Sequence, residues 1–143
     1  MSIKSFLASG CVLVSMSVYA ADVEIIEPYA RASMPGKPNS AAFLKIINNA
    51  DKDVSIIAAS SEASEHAELH THKNEDGMLK MVQAQKLLIP AKSSIELKPG
   101  GDHIMLMNLN APLKAGESTS VTLKFDDGDS KKIQNIMIKE ISL

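Results

Sequence analysis

Turn-forming residues interrupt this sequence at short, nearly regular intervals. Pro35-Gly36 with Pro38, Asn48-Asn49-Ala50-Asp51, Asn74-Glu75-Asp76-Gly77, Pro99-Gly100-Gly101 and Asp126 to Asp129 bracket runs too short for ordinary helices. Within several runs apolar and polar residues alternate: Val121, Leu123 and Phe125 share one parity, as do Ile104 and Leu106. Side chains two apart share a strand face, so this is the period of half-buried strands. Ala41 to Ile47, Val54 to Ser60, Lys86 to Pro90, Ser93 to Lys98, Asp102 to Leu109, Ser120 to Phe125 and Lys132 to Ile141 read as strands. Asp22 to Ala32 opens with a strand-like stretch that meets Pro28. No helical period stands out. We expect roughly seven to nine short strands in an all-β Greek-key sandwich or barrel.

The amino terminus reads as a secretory leader. Met1 to Lys4 carries one positive charge, Phe6 to Val18 is mostly apolar or small, and Val18-Tyr19-Ala20 offers a cleavage pattern. Residues 1–20 are therefore expected to be a signal peptide and residues 21–143 the mature domain, soluble in the periplasm. The apolar run is shorter than the ~18 residues of a membrane span and is broken by Ser and Gly, so no membrane span is expected. Ala8-Ser9-Gly10-Cys11 loosely resembles a lipid-attachment box, but the apolar segment ending at residue 10 is shorter than the usual leader allows. Cleavage removes Cys11, the single cysteine of the chain, so the mature domain would rely on its core and not on disulfides.

Composition sets limits on function. Hydrophobic residues make up 45% of the chain and aromatic residues only 3%, with no Trp, so the core must be aliphatic. A formal charge of −2 provides no basic footprint for nucleic acid and no polybasic membrane patch.

The chemistry concentrates between Ala67 and Leu109. Three of the four histidines lie there, His70, His72 and His103, with His66 just upstream. Four of the eight methionines join them: Met78, Met81, Met105 and Met107. Imidazole with thioether is a ligand set that suits Cu(I) better than Mg, Ca or structural Zn. His70-x-His72 and His103-x-Met105-x-Met107 each aim their side chains at one strand face. The Asn74 to Gly77 turn predicts a hairpin with two possible registers. A two-residue Asp76-Gly77 turn sets His72 opposite Met81; a four-residue loop sets His70 there.

Each residue alone has a plainer reading. Met105 or Met107 could fill a core, and His66 reads as a surface residue. If Ile104 and Leu106 face the core, however, His103, Met105 and Met107 face away from it, exposed unless they serve a purpose. A zinc hydrolase or lyase built on His70, His72 and His103 is the alternative from another class, but it leaves the methionines unexplained and lacks a clearly placed general base. A blue-copper electron-transfer site needs a Cys thiolate, which the mature chain lacks.

His70, Met81, His103 and Met105 fall in the spacing H-x10-M-x21-H-x-M. With the ELH, MLKM, IELKPGG and HIMLM segments, this pattern resembles the PCu(A)C family of periplasmic copper chaperones. The resemblance implies a cupredoxin-like Greek-key β-barrel and a Cu(I) site made by His70, Met81, His103 and Met105. It also implies a non-enzymatic, monomeric carrier delivering copper to the CuA centre of cytochrome c oxidase subunit II, with a thiol-based copper chaperone as a further partner. Copper storage or resistance is the alternative role. Many relatives carry a methionine shortly after the first histidine where this chain has His72. The His/Met-rich tail of some relatives, which binds Cu(II), has no counterpart in Glu140 to Leu143. A weaker Cu(II) site would have to draw on His66 and His72.

Overall fold

The computed structural model describes residues 22–141; the leader assigned to residues 1–20 lies outside the described residues. Ten strands follow in order: β1 (Val23–Arg31), β2 (Ser40–Asn48), β3 (Val54–Ser60), β4 (Ser64–Glu75) and β5 (Met78–Gln83). The second half holds β6 (Leu87–Ile89), β7 (Ser93–Leu97), β8 (His103–Leu109), β9 (Ser118–Phe125) and β10 (Ser130–Lys139). There are more strands than expected, and two are longer than the sequence pattern indicates.

The first is β1, which continues through Pro28. Its pairing with β2 shifts register between Ile26 and Tyr29, and Glu27 there takes φ 49°. A bulge leaves a residue outside the hydrogen-bond ladder, so proline's missing N–H costs no ladder bond. The second is β4, twelve residues long, which carries the whole His66 to His72 segment in extended form.

The strands pair in the order β5-β4-β8-β2-β1-β10-β9-β3-β6. The first part of β2 pairs with β8 and its later part with β7, while β1 and β10 run parallel. Leu69 of β4, Leu44 of β2, Ile138 of β10, Val121 of β9 and Ile89 of β6 all belong to one buried apolar cluster. Strands this far apart in the pairing order meet in one cluster because the sheet curls around it, in a cupredoxin-like barrel. The core is aliphatic apart from Phe125. Only β5 contributes no buried residue; it is an outer strand attached to the barrel by its pairing with β4.

The β4–β5 hairpin adopts the two-residue register. Asp76 and Gly77 both have positive φ, 52° and 82°, the requirement of a type I′ turn. Asn74 Oδ1 accepts the Gly77 N–H at 3.1 Å. His72 therefore pairs with Met81, and His70 with Gln83. The four-residue loop, with His70 across from Met81, is not formed. On the other side of β4, Thr71 Oγ1 donates to Asp102 Oδ1 at 2.6 Å, tying β4 to the start of β8.

Candidate metal centre

Alternation along β4 and β8 separates core from site. Leu69, Ile104 and Leu106 turn inward and are almost completely buried. His66, Glu68, His70 and His72 of β4 turn the other way, as do His103, Met105 and Met107 of β8. The antiparallel register then sets His66 opposite Met107, Glu68 opposite Met105 and His70 opposite His103.

Because β4 lies between β8 and β5, His70 is central. His103 faces it directly, and the two ring centroids are 5.4 Å apart. Met105 stands diagonally to one side, opposite Glu68, and Met81 diagonally to the other, opposite His72. Diagonal positions lie ~7–8 Å apart at the backbone, within reach of long flexible side chains such as methionine. All four residues of the H-x10-M-x21-H-x-M spacing thus reach one patch of one sheet face. His72 is on that patch as well, its ring centroid 6.2 Å from that of His103. Met107 and His66 form the next pair along, while Met78 has the opposite parity to Met81 and projects from the other side of β5.

The site has a floor that sequence reasoning missed. Phe43 of β2 is 2% exposed yet stands outside the central core cluster. Tyr29 packs on it at 5.2 Å between centroids, His103 at 6.3 Å, and the Arg31 guanidinium lies 5.7 Å over its ring. This cover explains a departure from expectation: His103 faces away from the core but is buried, at 7% exposure. Met105 and Met107 are half-buried, whereas Met81 on the outer strand remains exposed. A cleft of about 390 Å³ opens beside these residues, lined in part by Arg31, Met34, His72, Met81, His103 and Met105. Met34, from the β1–β2 loop, is a further exposed thioether at its rim.

The imidazoles are prepared unequally. His103 Nδ1 lies 3.0 Å from the Gly101 carbonyl oxygen; since that oxygen can only accept, Nδ1 carries the proton and Nε2 keeps a free lone pair. Burial lowers the pKa of His103, the Gly101 hydrogen bond opposes that shift, and nearby His70, His72 and Arg31 lower it further. A neutral imidazole is the form that binds metals. His70 Nε2 is 2.7 Å from Glu68 Oε2. The Nδ1 atoms of His70 and His72 are buried without hydrogen-bond partners.

Among the described residues, no group of three or more His, Cys, Asp or Glu side chains is gathered to hold a metal ion. The donor set that the geometry offers is completed by thioethers. Glu68 and Arg31 also escaped the sequence reading. Glu68 was within reach of it, two residues before His70 and so on the same face.

Fold and site together define a class: a cupredoxin-like β-barrel bearing a mixed imidazole–thioether patch on an outer sheet face. The LpqE-like family, which is the PCu(A)C family, matches residues 23–137. The protein Lxx21020 of Leifsonia xyli subsp. xyli (strain CTCB07) is 36% identical over 121 residues, covering 84% of this chain and 71% of its own length. The apo PCuAC domain from PmoF1 superposes with a TM-score of 0.73 at 26% identity, over 84% of this chain and 95% of that domain. The copper(I) form of DR1885 from Deinococcus radiodurans gives a TM-score of 0.67 at 30% identity, over 81% of this chain and 76% of that one. The chain belongs to the PCu(A)C family.

Proposed function

We propose that this protein is a Cu(I) carrier of the periplasm, holding the ion with His70, Met81, His103 and Met105. The observation that carries the reading is the His70–His103 pair with a methionine on each diagonal. Two neutral nitrogen donors and two soft sulfur donors suit Cu(I). The likeness to the copper(I) form of DR1885, at 30% identity, supports the same choice of metal.

The site also suits transfer. Met81 is 49% exposed and sits on a strand that contributes nothing to the core. A partner can approach it without opening the barrel. Thioethers are uncharged, so releasing the ion leaves no buried anion behind. These features favour a monomeric carrier over an enzyme. The recipient in this reading is the CuA centre of cytochrome c oxidase subunit II, with a thiol-based copper chaperone acting beside it. Any Cu(II) binding, through His66 and His72, would be weaker.

The test is to purify the protein from the periplasm, measure its copper and zinc content and oxidation state, and mix the Cu(I) form with copper-free oxidase subunit II. Copper that moves and forms the CuA centre supports delivery. Copper that stays bound favours storage or resistance, and zinc in place of copper favours the three-histidine hydrolase or lyase.

A further inference from the structure

Glu68 places a carboxylate on the same face as the proposed ligands, and its position is specific. Glu68 stands two residues before His70 on β4 and directly opposite Met105 on β8. One carboxylate oxygen lies 2.7 Å from His70 Nε2 and the other 4.0 Å from His66 Nε2. The Glu68 side chain is 26% exposed and that of His70 12%, so water competes weakly for this contact.

We infer that Glu68 is a positioning residue that makes Nδ1 of His70 the copper-binding nitrogen, in contrast to Nε2 of His103. This rests on the proposed Cu(I) site and adds to it. A carboxylate accepts, so His70 Nε2 carries the proton and donates it to Glu68. That leaves the lone pair on Nδ1, the atom that is buried and without a partner. For His103 the arrangement is reversed: Nδ1–H is held by the Gly101 carbonyl and Nε2 is free. The hydrogen bond made by one ring nitrogen fixes what the other can bind. The facing imidazoles are thus held in opposite tautomers by two different acceptors, a side chain and a backbone carbonyl.

The test uses the full mature protein with histidine nitrogens labelled with ¹⁵N. In the apo form His70 should show a proton on Nε2 and His103 one on Nδ1. Adding Cu(I) should shift Nδ1 of His70 and Nε2 of His103. Glu68→Ala should abolish the hydrogen-bonded Nε2–H signal of His70 and weaken Cu(I) binding by ~10–100-fold, the usual effect of losing such a partner. Glu68→Gln keeps an oxygen acceptor and should restore the signal and part of the affinity. Copper that shifts Nε2 of His70 overturns the inference while leaving His70 a ligand. So does a Glu68→Ala variant with unchanged signal and affinity. Copper that shifts neither nitrogen of His70 overturns the ligand assignment and this inference with it.

Discussion

His70 and His103 face each other as a directly opposed pair across β4 and β8, with ring centroids 5.4 Å apart. They come together because Leu69 and Ile104, on the reverse of the same strand pair, are themselves opposed and sealed in the core. A one-residue slip of β4 against β8 would expose Leu69 and bury the histidine. Core packing therefore fixes the separation of the two imidazoles before any metal arrives.

The methionine assignments make the first prediction. Met81→Leu and Met105→Leu remove one thioether each while nearly preserving volume, so apo stability should change by under ~1.5 kcal/mol. Cu(I) affinity, measured by competition with a chelator, should fall sharply in both. Met107→Leu and Met78→Leu should have smaller effects, since Met107 pairs with His66 and Met78 projects from the other side of the hairpin. The zinc alternative reverses this ranking, with His72→Ala as damaging as His70→Ala and the methionine changes silent.

His103 provides a pH prediction. Burial holds its folded-state pKa below the ordinary value, which for a free imidazole is ~6.5. The unfolded chain then binds the proton more readily than the folded one. The stability associated with His103 is complete above the unfolded value and is lost as pH falls through the folded one. Urea unfolding of the apo-protein should show midpoints declining from near neutrality into mild acid, and His103→Gln should flatten that slope. An unchanged slope in the variant would mean that His103 is not the group responsible.

Phe43→Ala should be costly although Phe43 lies outside the central core. A buried phenylalanine truncated to alanine loses about 3–5 kcal/mol. Its removal also uncovers His103, so the titration midpoint of that ring, followed by NMR, should rise toward the value of a free imidazole. A variant of parental stability would show that Tyr29, Arg31 and His103 close over the gap.

The amino terminus is tested by intact mass. Export should yield a mature chain beginning at Ala21. A mass that retains residues 1–20, or carries lipid on Cys11, would overturn the predicted cleavage.

Much of this arrangement was legible in the sequence because strand alternation is local. Ile104 and Leu106 face the core as their spacing indicates, and Asp76-Gly77 forms a turn that its composition favours. What the sequence left open was which strands become neighbours. The pairing of β4 with β8, which sets His70 against His103, joins segments separated by β5 and the two short strands β6 and β7, and no local pattern encodes it. The hairpin register was open between two loops until the positive φ of Asp76 decided it. Phe43 was hidden for a related reason: the imperfect alternation of Ala41 to Ile47 reflects burial on both faces of β2, and the second face is covered by residues from β1 and β8.

In the proposed site Cu(I) is held by two imidazoles and two thioethers. X-ray absorption of the Cu(I)-loaded mature protein tests it most directly, because sulfur and nitrogen scatter differently in the first coordination shell. The expected shell is two sulfur and two nitrogen donors, with one sulfur lost in Met81→Leu and in Met105→Leu. A shell of nitrogen or oxygen alone, or one unchanged by both substitutions, would contradict it.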